Sequence, residues 1–455
     1  MNIHMSDIPR LFGTSGIRGP IGKKISAELA LKVGRALSTS LGKNSTVVIG
    51  HDTRTSNKML ENSLTAGLLE SGSNVIKLGM VPTPLSGYAT IKLDADAGIM
   101  ITASHNPSTD NGIKVWNKDG TAYSEEQEKN LEKIIHNNTY NTASWDEIGK
   151  ISYAEEIQED YKQKLLSMVD IKPGLKVVVD PGSGAGSYLS PFLLREAGCH
   201  VISLNSQPDG HFPGRMAEPK ESNLQDLITI VKQTNADLGI AHDGDADRIA
   251  AVDEKGNMVD FDKLLALISR ELSKDDEYVI TTVDASACID NAVGPGTKVM
   301  RSKVGDVHVA QLMKEYNAQF GGEPSGTWIH RDFCMCPDGI LSGLRIVELI
   351  SQYGPLSKQL EEMKSFSGIR EKISCPEEKK IPILKAVQEH IKEEFPDITD
   401  INDIDGVRLT LEDGSWVLLR PSGTEAYMRV TLEGITPERA QELYKTSEKF
   451  IKKHL

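Results

Sequence analysis

The chain has no apolar run long enough to cross a bilayer, and its first ten residues, Met1 to Arg10, contain no hydrophobic signal core. A membrane protein is therefore not expected, nor a secreted one; a cytoplasmic enzyme is. Positive charge is in short supply: 51 Lys and Arg face 65 Asp and Glu, for a net charge of −14. That balance argues against a nucleic-acid surface, and any anionic ligand must then be attracted by local cations. Cysteine is scarce. Cys199, Cys288, Cys334, Cys336 and Cys375 are odd in number and scattered. One residue separates Cys334 from Cys336, which is not a zinc-knuckle spacing, so reduced, packed thiols are expected. A Walker loop is missing, which counts against a nucleoside-triphosphate kinase.

What is present reads as a multidomain α/β chain. At 455 residues it is long enough for three or four domains with sizeable cores. A mean hydropathy of −0.31 is that of an ordinary globular protein. Apolar residues recur at helical spacing over Ile25 to Ser40 and Met59 to Ser71. Short apolar runs at Thr46 to Gly50, Asn74 to Leu78, Ala97 to Ile101, Leu175 to Asp180 and Tyr278 to Thr282 read as buried strands. This alternation predicts α/β domains, divided as 1–155, 156–257, 258–370 and 371–455. The first three look like weakly similar copies. The last is smaller and α+β, with a helix over Ile383 to Glu394, strands around Val407 to Leu419 and a closing helix over Pro437 to Lys453. The charged segment Glu371 to Lys380 reads as a linker.

Four segments carry candidate chemistry. Thr102-Ala103-Ser104-His105-Asn106-Pro107 follows a strand, and Asn-Pro stops it. A serine there is fixed on a strand end and presented to solvent, suited to a nucleophile or phosphate carrier; a polar turn is the alternative. His242-Asp243-Gly244-Asp245-Ala246-Asp247-Arg248 places three carboxylates at alternate positions, where a hard divalent cation resolves their repulsion. Its continuation as a strand argues against an EF-hand, and a solvated acidic turn is the bland reading. Arg420-Pro421-Ser422-Gly423-Thr424-Glu425, with Arg429 nearby, offers a guanidinium fork and hydroxyl donors to phosphate; a hairpin turn is the alternative. Gly321-Gly322-Glu323-Pro324-Ser325-Gly326-Thr327 suits hydroxyl recognition, or is simply a turn-rich loop. A glycine loop at Pro181 to Gly186 raises dinucleotide binding, but its glycine pattern is imperfect and the next strand ends without an acid for a ribose.

Together these segments resemble one family, the α-D-phosphohexomutases, over essentially the whole chain. Leu11 to Gly19 looks like the family's opening motif, Thr102 to Pro107 with Asp110 to Lys114 its phosphoserine loop, and Asp243 to Arg248 its metal loop. Gly322 to Gly326 looks like its sugar loop and Arg420 to Glu425 its phosphate loop. The resemblance implies three similar α/β domains with mixed sheets and a smaller C-terminal α+β domain around a central cleft. It implies a mutase that interconverts hexose 6-phosphate and hexose 1-phosphate through a phosphoserine and a sugar 1,6-bisphosphate. Ser104, His105, Lys114, Arg18 and Arg248 would be catalytic. Asp243, Asp245 and Asp247, with Ser104 through its phosphoryl oxygen, would hold Mg²⁺. Glu323, Ser325, Thr327, Arg420, Ser422, Gly423, Thr424 and Arg429 would bind substrate. Many members have His where Thr327 stands and Pro where Ala426 stands. Lys303-Val304-Gly305-Asp306 leans the expected substrate toward glucosamine phosphate, with a phosphomannomutase or phosphoglucomutase of broad specificity as the alternative. A non-catalytic sugar-phosphate sensor on this scaffold is the rival of another class. No nucleic-acid or membrane partner is expected, and the protein would be a monomer or a homodimer.

Overall fold

A computed structural model describes residues 10–13, 15–274, 277–422 and 426–455. Two compact units make up the chain. The first runs to Val259 and includes Ser325–Gln359; the second comprises Asp260–Pro324 and Leu360–Leu455.

The first unit holds two mixed sheets. One has six strands in the order Ile17–Pro20, Asp110–Asn117, Ala97–Ile101, Thr46–His51, Asn74–Met80, Ile151–Tyr153. The pairings on either side of Asp110–Asn117 are antiparallel, and the remaining ones are parallel. The other has four strands in the order Ile249–Val252, Leu238–His242, Lys176–Asp180, His200–Ser203, with only the first pairing antiparallel. Ala97–Ile101 and Leu238–His242 are buried at every position, as near-continuous apolar strands covered on both faces should be. Helices Ala27–Leu41 and Asn57–Glu70 pack together against the first sheet, and Ser26 caps the former by accepting from the Leu29 N–H. The serine loop follows Ala97–Ile101 and the aspartate loop follows Leu238–His242. Both thus sit at carboxyl ends of parallel strands, where α/β sheets place their ligand loops. An antiparallel hairpin, Trp328–His330 with Cys334–Pro337, leads into helix Gly339–Tyr353, which packs on the strand pair flanking the aspartates.

In the second unit, Lys298–Ser302 and Phe320–Gly322 flank Tyr278–Thr282 in parallel. A five-stranded antiparallel sheet follows, in the order Ser367–Ser374, Tyr427–Gly434, Trp416–Pro421, Val407–Leu411, Ile398–Asn402. Helices Glu377–Glu394 and Pro437–His454 cover one face, burying Ile373, Ile383, Val387, Leu419, Val430, Leu432, Leu443 and Phe450.

The mixed α/β sheets and the smaller antiparallel C-terminal sheet are those expected from the sequence. Glu371 to Lys380 is not a linker. It forms the second half of strand Ser367–Ser374 and the start of helix Glu377–Glu394, six residues before the expected helix start. Ile369, Ile373 and Cys375 alternate into the core while Arg370, Lys372 and Ser374 occupy the other face, so charge hid a period-two pattern. All five cysteines are free and buried.

Candidate functional site

Three non-glycine residues in left-handed backbone mark the site before any side chain is considered. Ten described non-glycine residues have positive φ, and six are Asn or Asp, which tolerate it. The other four are Ser104, Ser183, Phe212 and Ala246, at +51°, +56°, +52° and +57°. Each such residue costs about 1–2 kcal/mol, which a fold sustains where surrounding contacts impose it. Ser104 and Ala246 lie in the two loops singled out by sequence, and Phe212 stacks on a residue that organises one of them.

Ser104 is buried, at 1% exposure, and not presented to solvent as its position at a strand end suggested. Its hydroxyl donates to Asp243 Oδ2 at 2.6 Å and lies 3.2 Å from His105 Nδ1. Residues 139 apart in sequence are thus in direct contact. The approach needs Gly244: a Cβ there would stand 2.7 Å from the Ser104 carbonyl oxygen.

Asp243, Asp245 and Asp247 are all buried, and one oxygen from each lies within 4.8 Å of the others. Lys114, buried on strand Asp110–Asn117, donates to Asp245 Oδ2 at 2.9 Å and Asp247 Oδ2 at 2.6 Å. Thr83 Oγ1 also donates to Asp245 Oδ2, at 2.5 Å. Asp245 Oδ1 and Asp247 Oδ1 are buried yet receive no hydrogen bond. Burial and the neighbouring Asp247 and Asp245 push the Asp243 carboxyl well up, against the pull of Arg248. At Asp245 burial opposes ionisation, but Lys114, Thr83 and Arg18 outweigh it and hold the carboxyl below its usual range. Three buried hard-oxygen donors, two with an unused lone pair, fit a small divalent cation.

Cations ring this group. Arg248 Nε is 4.0 Å from Asp247 Oδ1, and its backbone N–H donates to Asp243 Oδ1 at 3.3 Å. Arg18 pairs across the sheet with Gly112, and its Nε is buried without an acceptor. His105 is pushed down to about 3, first by burial and then by Arg248 and Arg18, so its ring is neutral. The Arg248 backbone also pairs antiparallel with that of Thr327, and Ser325 Oγ lies 3.0 Å from Thr327 Oγ1. The structure therefore gathers Ser104, His105, Lys114, Arg18, Arg248, the three aspartates, Ser325 and Thr327 within the first unit.

Sequence reasoning missed Arg54, which is buried and donates five hydrogen bonds from its guanidinium. Nε reaches Asp52 Oδ2 (3.1 Å); Nη1 reaches the carbonyls of Pro107 (2.5 Å) and Asp110 (2.8 Å). Nη2 reaches the carbonyls of Ser104 (2.9 Å) and Asn106 (2.7 Å). Phe212 lies against it, with its ring centroid 5.1 Å from Cζ. The available signal was Asp52-Thr53-Arg54 directly after strand Thr46–His51, a charged pair at the end of a buried strand.

The remaining expected residues belong to the second unit. Glu323, half-buried, follows strand Phe320–Gly322. Arg420 and Arg429 are directly opposite one another on adjacent strands, and Lys372 is opposite Arg429 on the next. Cross-strand partners share a face, so these form a row of three cations. Arg420 Nη2 is paired with Asp405 Oδ2 at 3.0 Å. Among the described residues no carboxylate pairs with Arg429 or Lys372; their charged ends lie 5.7 and 4.6 Å from the Tyr427 ring centroid. The buried Lys380 donates to the Ser422 carbonyl at 2.6 Å. Sequence reasoning missed Lys372 because it read that strand as a linker. Gly423 and Thr424, with Thr14 and Glu425, lie outside the described residues.

Comparison with known proteins gives concordant matches. Four family profiles, each described as phosphoglucomutase/phosphomannomutase, match in order: alpha/beta/alpha domain I at residues 9–142, domain II at 152–256, domain III at 260–366, and the C-terminal domain at 372–446. A probable phosphoglucosamine mutase of Methanothermobacter thermautotrophicus is 55% identical, covering 97% of this chain and 98% of that one. The crystal structure of a phosphoglucomutase/phosphomannomutase family protein from Burkholderia thailandensis superposes with a TM-score of 0.88 at 26% identity, covering 100% of this chain and 98% of the other. Aspergillus fumigatus N-acetylphosphoglucosamine mutase, solved with GlcNAc-6P and magnesium, shares the fold at a TM-score of 0.58 and 12% identity, covering 98% and 96%.

Proposed function

The chain belongs to the phosphoglucomutase/phosphomannomutase family, and from that premise we propose that it interconverts glucosamine 6-phosphate and glucosamine 1-phosphate by way of a phosphorylated Ser104. The observation that carries this reading is the contact of the Ser104 hydroxyl with Asp243 inside a buried aspartate triad. Glucosamine as the sugar is supported by the phosphoglucosamine mutases among full-length relatives.

In this reading phosphoserine brings about two negative charges into the centre at neutral pH. Asp243, Asp245 and Asp247 would hold Mg²⁺, which when bound neutralises charge on the phosphoryl oxygens. Arg248 and Arg18 add fixed positive charge at the same place. The hydroxyl oxygen of the sugar attacks phosphorus; the new O–P bond forms as the Oγ–P bond breaks, and the hydroxyl proton ends on Oγ. Neutral His105, 3.2 Å from Oγ, and Lys114 are the groups proposed to carry that proton. The sugar 1,6-bisphosphate then turns end over end, and its other phosphoryl group passes to Ser104 Oγ as its O–P bond to the sugar breaks and the Oγ proton ends on the released sugar oxygen. Ser325, Thr327 and Glu323 take sugar hydroxyls. Arg420, Ser422, Gly423, Thr424 and Arg429, joined by Lys372, take the phosphate that is not reacting.

A coupled assay comparing glucosamine-, glucose- and mannose-6-phosphate at matched concentrations tests the substrate. The amino sugar is expected to give the highest kcat/KM; a clear preference for glucose or mannose phosphate moves the assignment to a mutase of broader specificity.

A further inference from the structure

We propose that Arg54 is a positioning residue for phosphoryl transfer, setting the direction in which Ser104 presents its oxygen. This rests on the reading that Ser104 carries the phosphoryl group. The two peptide groups that flank the serine are both fixed. The Ser104 N–H donates to Thr102 Oγ1 at 2.8 Å, and Thr102 Oγ1 in turn donates to Asp52 Oδ2 at 2.7 Å. The Ser104 carbonyl accepts from Arg54 Nη2, and Arg54 Nε is bound to that same Asp52 oxygen. One buried ion pair therefore grips the residue from both sides.

With both peptide planes fixed, the Cα–Cβ bond has a single direction, and only rotation about it remains for Oγ. That direction requires the left-handed backbone at +51°, which a serine does not hold unaided. The same fork takes the carbonyls of Asn106, Pro107 and Asp110, so the whole turn from Ser104 to Asp110 hangs on one side chain. Asp52 is further fixed by the Arg54 N–H at 2.9 Å and Asn57 Nδ2 at 2.9 Å, and Arg54 by the ring of Phe212. Every N–H of the guanidinium has an acceptor. A lysine, with three donors around a point and no plane, cannot reproduce that set. Transfer in line with the breaking bond is steeply sensitive to such aim, and a misplacement of about 1 Å is worth on the order of 10²-fold in rate.

The experiment uses the full-length Mg²⁺-loaded enzyme, with glucose 1,6-bisphosphate as phosphoryl donor. Single-turnover intact mass follows phosphoryl uptake, and calorimetry with glucose 6-phosphate follows binding. In Arg54→Lys uptake should slow by on the order of 10²-fold with the dissociation constant unchanged. In Arg54→Ala, added methylguanidinium should restore uptake where methylammonium does not. A merely structural role would lower the melting temperature and leave uptake by the folded enzyme at the wild-type rate in Arg54→Lys; that result overturns the proposal, as does a loss confined to binding. Failure of methylguanidinium on folded Arg54→Ala also overturns it. Where Arg54→Ala does not fold, Arg54→Lys decides. Ser104→Ala separates the two claims: uptake by that variant would remove the phosphoserine reading itself, whereas wild-type uptake by Arg54→Lys beside a silent Ser104→Ala removes only the role of Arg54.

Discussion

The two units handle charge in opposite ways. In the first, three aspartates, a lysine and an arginine–aspartate pair are buried and answer one another at hydrogen-bond distance. In the second, Lys372, Arg429 and Arg420 stand in a row of like sign, and among the described residues the one carboxylate paired with the row is Asp405. Under the proposed function, the contrast follows from what each unit would do. A transferring phosphoryl group needs atoms fixed in advance, so the cost of burying charge is met by internal partners. A phosphate that arrives on a sugar in either of two orientations needs attraction without a rigid seat, and on the proposed reading the cationic row would supply it.

The comparison predicts a graded series of effects. Ser104→Ala should lose on the order of 10³-fold or more in turnover while still binding hexose monophosphate, measured by coupled assay and calorimetry; equal turnover would break the contrast at its centre. Chelation of divalent metal should stop transfer without altering the circular dichroism spectrum, since Lys114 already bridges two of the aspartates. In excess chelator Asp243→Asn should melt no lower than wild type, because it removes a buried carboxylate repelled by its two neighbours. A large drop would show that the triad is built for stability. In the second unit, Arg420→Met should raise KM about tenfold and Arg429→Met and Lys372→Met about threefold each, as expected of a partly buried charge-assisted contact and of exposed ones. All three should leave kcat nearly unchanged, and the effects should shrink at high salt. A loss in kcat alone would instead make the row part of the reacting centre.

The smallest effect concerns Asp262, a buried carboxyl group in the second unit that the proposed chemistry does not use. Its carboxyl is pushed up to about 7, by burial first and then by Glu433 and Asp260, against the pull of Arg370. Below the unfolded value near 4 both states are protonated. Between there and about 7 the unfolded chain ionises while the folded one keeps its proton, so stability is lost as pH rises. The melting temperature of wild type relative to Asp262→Asn should therefore fall from pH 4 to pH 8; a flat difference would refute the assignment.

Ser104 and the aspartate triad could be singled out in sequence because each lies in a contiguous run at a strand end; residue type and spacing left a polar turn open at both, and the roles came from the family resemblance. Arg54 could not, since its partners are carbonyl oxygens about 50 residues away, and a carbonyl carries no residue-type signal. Lys372 was hidden for another reason: Arg370, Glu371 and Lys372 are consecutive charges that masked the inward alternation of Ile369 and Ile373. The burial of Ser104 was also illegible, because Gly244 and Asp243, which cover it, come from a distant loop.

The depth of the Ser104 oxygen bears on how the proposed phosphoserine would first form. A protein kinase must seize an acceptor residue in an extended, reachable stretch of chain, and a hydroxyl at 1% exposure in a turn tied down at both peptide groups offers no such stretch. If Ser104 carries the phosphoryl group as proposed, only a donor small enough to diffuse inward would hand over the first one, which would tie priming of the catalyst to the metabolites it handles and separate it from signalling enzymes.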